Sequence, residues 1–534
     1  MTTVDVVVAG AGHNSLITAA YLAQAGYEVV VLDARPIPGG GAASEELLLP
    51  GYRIDSCSTG HTLIQTNPLL LDDELGLQAD YGLEYLVPDP FAHVAFPDGR
   101  QLTMWMDVER SCEEIGRFSR ADADAYRRAL ADYDEIKGVF GAATFTPPGF
   151  GPSLEQRLAE HPRGRIWQRK RLMSAWDVIR HEYESEHIRS FMLWQAFQTL
   201  VPVDVPGTGQ LASSIVFGRQ RRSWTLPRGG SGALTDALVQ FVEDHGGTVL
   251  CDRPVARLVI EDGRCVGVET EAGERFLGCE AVVSTIHVKH LLGMAPADAW
   301  DEGFRYGVET FDVGLSGFAV HLASTVAPVF ETEDGPRSAV SAGLSGWPQQ
   351  ILDSQRALRD DRYADDVAWL LVATPTLADP SRAPDGRHTV KFLSAQPWLG
   401  GREGWTDARK AAQAARQLER VRGLCPGLTD DAILASLVKS PVDIEAQNRH
   451  MIRGTFHGGD RTLAQSGGLR PAPGWGQYRM PVPGLYQTGG TTHPGGSITG
   501  APGRNAATVL LSDLGLDLEE VVAGARRPRA GSHR

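Results

Sequence analysis

Positive charge is in short supply: 51 Lys and Arg stand against 66 Asp and Glu, a formal charge of −15. A chain that displaces counterions from phosphates needs a basic face, so nucleic acid is not an expected partner. Cysteine is sparse, and Cys57, Cys112, Cys251, Cys265, Cys279 and Cys425 include no C-x-x-C spacing. That argues against a thiolate zinc site or a disulfide scaffold and for a reducing, cytoplasmic compartment. The thiols read as small buried hydrophobes. No basic stretch with a following apolar core and cleavage site opens the chain, so no signal peptide is expected. Long apolar runs are missing as well. The nearest, Val313–Phe330, is eighteen residues without formal charge but holds two Gly, two Ser, a His and a Pro. It reads as a strand and its following loop rather than a membrane span. No H-E-x-x-H, EF-hand loop, Walker lysine or G-x-S-x-G nucleophile stands out, and no metal is expected.

What is present is ordinary globular material. The 534 residues are 42% apolar and 22% charged. That is enough for a sizeable core and, at ~150 residues per domain, for two large units or several smaller ones. The 60 Gly and 32 Pro are dispersed, and so mark turns and close backbone contacts rather than low complexity.

The first chemistry-bearing motif is at the N-terminus. Val4–Ala9 is a short run rich in β-branched residues, which predicts a buried parallel strand. Gly10-Ala11-Gly12-His13-Asn14-Ser15 follows. Leu16, Ile17, Ala19, Ala20, Leu22 and Ala23 are then spaced as a helix stopped by Gly26, and Glu28–Leu32 is a second strand ending at Asp33. A β-α-β unit of this length binds an ADP moiety. Gly10 permits the tight turn. Gly12 lets the backbone approach a pyrophosphate at the helix N-terminus, beside His13 and Asn14, where negative charge is favoured. Asp33, 21 residues after Gly12, is spaced to accept hydrogen bonds from ribose hydroxyls and disfavours a 2′-phosphate. Ser15 takes the third glycine position, the mildest enlargement of it. After the acid come Ala34 and Arg35, then Gly39, Gly40, Gly41 and Ala42, small residues beside which an extended dinucleotide can run. This cluster resembles the second glycine motif of the two-dinucleotide-binding-domain flavoproteins, and it favours FAD over NAD.

Two later blocks extend the pattern. Pro227-Arg228-Gly229-Gly230 precedes an amphipathic helix with Leu234, Ala237, Leu238, Phe241 and Val242 on one face. A strand at Thr248–Cys251, a hairpin of Val255–Glu261 and Cys265–Glu271 through Asp262-Gly263, and an apolar strand at Glu280–Thr285 follow. The third block has a short strand, Leu485–Thr488. It then runs Gly489-Gly490-Thr491-Thr492-His493-Pro494-Gly495-Gly496-Ser497-Ile498-Thr499 into a small-residue helix near Gly503–Leu511. Together the three blocks are similar to the phytoene-desaturase-like FAD-dependent oxidoreductases, in the branch that holds carotenoid ketolases and mitochondrial pyridine-nucleotide-disulfide-oxidoreductase-domain proteins. The likeness runs over most of the chain and takes in His457-Gly458-Gly459-Asp460. It implies an α/β, Rossmann-like (two-dinucleotide-binding-domain) FAD fold with an inserted α+β substrate domain. It also implies that Val255 pairs its backbone with the adenine, and that Gly489, Gly490, Gly496, Ser497, Ile498 and Thr499 pass the flavin.

The expected layout is a discontinuous FAD-binding domain from residues 1–69, 224–289 and 451–520. Residues 70–223 (a helical lid) and 290–450 (a sheet with helices) form the substrate domain, and 521–534 form a tail. Helices are predicted at Ala121–Lys137, Trp176–Leu200 and Asp407–Leu424, and strands at Gly317–Ala323, Val367–Ala373 and Thr389–Ala395. Gly138–Leu154 reads as an apolar, Gly/Pro-rich loop beside a basic–aromatic helix around Arg163–Trp176. Either it docks on anionic lipid as a peripheral membrane contact, or it is a lid beside a solvated helix face. His493, His61 and His457 are the candidate catalytic side chains, each weighed against a histidine that merely holds a loop. Trp224 and Tyr478 are expected to pack rather than to wall the pocket.

Hydride chemistry asks little of the protein beyond holding the donor carbon and excluding water. The expected activity is therefore dehydrogenation of a largely apolar small molecule by hydride transfer to flavin N5, with oxygen, a quinone or a carrier as electron acceptor. Amine or alcohol oxidase, ketolase, redox-neutral isomerase and a flavin-stabilised scaffold stand as alternative readings.

Overall fold

The computed structural model describes residues 1–363, 368–400 and 404–526. Their strands form two seven-stranded sheets and two short two-stranded ones. In the first large sheet the parallel order is Thr248–Leu250, Val29–Leu32, Thr2–Ala9, Arg275–Ser284 and Leu485–Gln487. The N-terminal half of Arg275–Ser284 also closes an antiparallel hairpin with Val255–Glu261 and Arg264–Thr270. Val6, Val7 and Val8 are fully buried, as a strand covered on both faces requires. Each such side chain contributes roughly 1.5–3 kcal/mol of burial.

One face carries three helices, His13–Gln24, Gly232–Asp244 and Ala501–Asp513, which share a core with Val6, Val8, Val29 and Val31. The first and last of these touch backbone to backbone. A Cβ at Gly503 would lie 2.3 Å from the Asn14 carbonyl oxygen, so only glycine lets the C-terminal helix settle on the N-terminal one. The opposite face packs Val4, Val7 and Leu32 against Leu258, Trp300 and Phe304.

The second sheet runs Ile433–Lys439, Gly317–Ser324, His388–Ala395, Trp369–Ala373, Ser341–Ser345, Ala92–Ala95, Gln101–Met104. All its neighbours are antiparallel except Ser341–Ser345 with Ala92–Ala95. The three strands predicted here form. The predicted start of one, Val367, lies outside the described residues, as do residues 527–534 of the expected tail. The first insertion, read as helical, also supplies Ala92–Ala95 and Gln101–Met104, strands too short to register as a period.

Two helical expectations need correction. The helix of Ala121–Lys137 continues to Thr144 and takes in the start of the presumed Gly138–Leu154 loop. Gly138 and Gly141 sit on open faces, where glycine costs only ~1 kcal/mol, while Ile136 and Phe140 anchor the turn against Leu158 and Trp167. The single helix expected over Trp176–Leu200 is split into Ala175–Glu182 and Glu186–Ala196, followed by a 3-10 turn. The buried Asp122 carboxylate accepts the backbone N–H groups of Glu184 and Ser185 at 2.8 and 2.9 Å, an alternative to helical bonding.

The basic segment is a helix, Gly164–Leu172, but much of its charge is matched. Arg163 pairs with Asp132, Lys170 with Glu182 and Arg171 with Glu155, and Trp167 is buried. Among the described residues no helix is long and apolar enough to cross a membrane.

Candidate active site

A cavity of about 1350 Å³ is lined from both large sheets, more than the ~300–1,000 Å³ of common ligand pockets. Its first end is made by the N-terminal motif. Gly10 has φ +107°, and a Cβ there would fall 2.2 Å from Thr285 Cγ2. The helix His13–Gln24 starts at Gly12 without a side-chain cap, and Gly12, His13 and Asn14 line the cavity. An uncapped helix start leaves backbone N–H groups for an anion.

Asp33 Oδ2 accepts from Ala11 N–H at 2.7 Å and Oδ1 from Arg35 N–H at 2.8 Å. Each oxygen keeps capacity for a further bond, and the side chain faces the cavity. Burial raises this carboxyl above its ordinary range, against the lowering effect of the two backbone bonds. Ala34, Arg35, Gly40 and Gly41 also line the cavity, with Arg35 held by Glu45 at 2.7 Å.

Three residues of these motifs stand behind the wall instead. Ser15 Oγ donates to its own helix at the Gly12 carbonyl, 2.9 Å away, so the enlarged third glycine position is absorbed without touching the cavity. Gly39 donates its N–H to the Ala11 carbonyl at 2.7 Å and accepts a bond from Ala42 N–H at 2.8 Å. Gly39 and Ala42 thus brace the turn that Gly40 and Gly41 present.

Val255 lines the cavity beside Arg253, whose N–H donates to the Asp33 carbonyl at 2.7 Å. From the third block Gly489, Gly490, Gly496, Ser497 and Ile498 line it. Thr499 does not: its carbonyl accepts from Asn67 Nδ2 at 2.9 Å and its hydroxyl oxygen from Ala501 N–H at 3.2 Å. A Cβ at Gly496 would lie 2.2 Å from the His457 carbonyl oxygen, so this loop lies directly on His457-Gly458.

A buried guanidinium that sequence reading missed holds the two loops together. Arg470 donates to the carbonyls of Asp460 (2.7 Å), Gly490 (2.6 Å), Gly458 (3.2 Å), Gly459 (3.3 Å) and Gln465 (3.2 Å). Nearby, burial raises the Asp460 carboxyl to about 6.

The three candidate histidines separate. His457 lines the cavity, and its buried Nδ1 has no partner. Burial, then Arg461 and Arg470, lower it to about 3, so it is a neutral ring. His61 is not in the lining. Its Nδ1 lies 3.1 Å from the Tyr85 hydroxyl, its Nε2 contacts Ser231 Oγ, and burial lowers it to about 3. His493 is also behind the wall, with Nε2 3.1 Å from the Ala143 carbonyl. Tyr478 packs as expected and donates its hydroxyl to the His493 carbonyl. Trp224 departs from expectation and lines the cavity, because Gly60 leaves its indole room: a Cβ there would be 2.3 Å from Nε1.

The other end of the cavity comes from the second sheet, with Leu371, Ala373, Lys391, Leu393, Leu437 and Lys439 joined by Ile215 and Phe456. None of these is flagged by a motif. A fully buried pair, Asp55 with Arg382 at 2.8 Å, ties the neighbouring chain to the sheet, and Lys391 donates to the Cys57 carbonyl. Among the described residues no group of three or more His, Cys, Asp or Glu could hold a metal ion.

A glycine-lined helix start, a buried carboxylate with free lone pairs and a long cavity fit an extended dinucleotide, and the comparisons agree. The profile of the flavin-containing amine oxidoreductases matches residues 16–511. The chain belongs to that family. It is an FAD-dependent oxidoreductase with a Rossmann-like α/β fold. Curated relatives include the mouse pyridine nucleotide-disulfide oxidoreductase domain-containing protein 2 (26% identical, 96% of this chain and 94% of that one). One component of the limonene dehydrogenase of Castellaniella defragrans is 26% identical over 98% of both chains. The lycopene-forming phytoene desaturase of Pantoea ananas is 26% identical over 95% of this chain and 99% of that one. The branch implied by the motifs is thus the right one. Among solved structures, an oxidoreductase from Methanosarcina mazei covers 95% of this flavoprotein and 99% of its own chain, with TM-score 0.62 and 16% identity, a likeness of fold.

Proposed function

We propose that this flavoprotein dehydrogenates a largely apolar organic substrate by hydride transfer to flavin N5. The observation that carries the reading is the two-ended cavity, glycine-lined where a dinucleotide fits and lined by Leu371, Leu393, Leu437, Ile215, Phe456 and Trp224 where a substrate would lie. Bound FAD supplies the hydride acceptor. Gly10, Gly12, His13, Asn14, Asp33, Ala34, Arg35, Gly40, Gly41 and Val255 hold its ADP half, and Gly489, Gly490, Gly496, Ser497 and Ile498 hold the flavin. Ser15, Gly39, Ala42 and Thr499 shape that wall from behind. The domain division follows: residues 1–69, 224–289 and 451–520 carry the cofactor, 70–223 and 290–450 the substrate. The apolar side chains exclude water and orient the donor carbon. His457, a neutral ring in the cavity lining, helps to position the substrate. His61 and His493 act only through the wall they support. The limonene dehydrogenase and the phytoene desaturases are named for hydrocarbons, which supports the dehydrogenase reading over an amine oxidase.

The test is anaerobic mixing of the purified yellow protein with lipid-soluble and polar extracts of the host, kept separate, while the flavin band is followed. Bleaching by the lipid fraction alone is expected. Bleaching by the polar fraction alone would replace this reading with an amine or alcohol oxidase. The electron acceptor is identified afterwards by supplying oxygen, a quinone or a carrier protein to the bleached enzyme.

A further inference from the structure

Two buried lysines stand among the apolar side chains at the substrate end of the cavity. On the cavity-facing side of the second sheet, strand register sets Ala373, Lys391, His321 and Leu437 in one row. Leu371, Leu393, Ala319 and Lys439 form the next. Lys391 and Lys439 therefore stand diagonally across the strand between them, two strand spacings sideways and two residues along, about 12 Å apart in the sheet. Both are buried and both line the cavity.

Among the described residues each lysine has one acceptor, the Cys57 carbonyl for Lys391 and Gln447 Oε1 at 2.6 Å for Lys439, for three donors. The nearby acids are already taken: Asp55 is paired with Arg382, and Glu45 with Arg35. A third buried cation of the lining, Arg219, bonds the neutral Gln195 side chain at 2.7 Å and faces the Trp224 ring, with no acid beside it among the described residues. Burial lowers Lys391, and burial followed by the charge of Lys391 lowers Lys439 to about 8. Two ammonium groups taken out of water with no ion partner are costly, and an anion between them would relieve both. An ammonium-bearing substrate would add to the repulsion.

We propose that Lys391 and Lys439 form a subsite for the anionic end of the substrate, so that the molecule oxidised is an apolar chain ending in a carboxylate. This rests on the dehydrogenase reading above and narrows its substrate class. The alternative anion is the pyrophosphate of the cofactor. Against it stands the position of both lysines on the substrate sheet, among Leu371, Leu393 and Leu437; for it, Lys439 reaches the Arg35–Glu45 pair of the nucleotide end through Gln447, so flavin content is read alongside.

The test titrates the holoprotein calorimetrically with acetate, hexanoate and decanoate and with the matching alcohols. It is repeated on Lys391→Met and Lys439→Met, which keep the length and apolar stem of the side chain, and flavin content is measured in the same samples. At least one acid should bind about tenfold or more tighter than its alcohol, the scale of a charge-assisted hydrogen bond. Each Met variant should erase that preference while alcohol affinity and flavin content stay unchanged. The proposal is overturned if no acid outbinds its alcohol, or if the variants keep the preference. It is equally overturned if they lose flavin while keeping it, which would assign the lysines to the cofactor's phosphates. Bleaching by polar extracts alone, with the acid preference intact, would instead sink the dehydrogenase reading and leave the subsite standing.

Discussion

At the scale of single residues, two carboxylates with different duties make sharp tests. Asp33 is buried, braces the glycine turn through Ala11 and faces the cavity. Asp33→Asn keeps the shape and removes the charge. FAD affinity should fall about 10- to 100-fold, the loss of a charged acceptor, read by fluorescence of released flavin. Unchanged retention would refute the ribose assignment. Asp460 is a pH reporter. Its folded value of about 6 exceeds the ordinary 3.8 because of burial, so between those values the folded state holds more protons than the unfolded one. Its contribution to stability is therefore complete below pH 4 and is lost as pH rises through 6, by about 3 kcal/mol. Asp460→Asn can still accept the Arg461 N–H and does not titrate, so its unfolding free energy should rise relative to wild type from pH 4 to 6. Parallel curves would contradict this.

At the scale of elements, the flavin end is two glycine-rich loops with few side chains to join them. Arg461 donates to the Gly496 carbonyl, and Arg470 ties the loops through five carbonyls. Arg470→Met leaves those acceptors buried and unpaired, a cost of ~3 kcal/mol or more. A lower unfolding midpoint and faster flavin release are expected together. Arg470→Lys should recover only part of either, because one ammonium cannot span the fork that a guanidinium spans. A variant that loses stability but releases flavin at the wild-type rate would show that Arg470 serves the core and not the loop.

At the scale of the whole molecule, the cavity joins the first fifty residues to the last fifty and to the second sheet. FAD should therefore stabilise the protein against global unfolding, by about 2.7 kcal/mol at a hundredfold excess over its dissociation constant. In hydrogen exchange, protection should rise in both 10–41 and 489–498. Protection confined to one of the two would argue against a single shared site.

Much of this was legible in the chain. Strand, turn, helix and acid lie within thirty-three consecutive residues, so the nucleotide half of the site could be written from local chemistry. The glycine clusters marked the wall of the site, and at Gly10, Gly40 and Gly496 an added Cβ would crowd a neighbour. The histidines were another matter. His61, His457 and His493 all sit in glycine-rich, polar surroundings, yet only His457 faces the cavity, because a loop's sequence does not say which side of the wall it takes. Lys391 and Lys439 carried no signal at all. Alternation along a strand tells which residues share a face, not which strands become neighbours. Their meeting over the cavity is a product of sheet order, set by contacts between segments far apart in the chain.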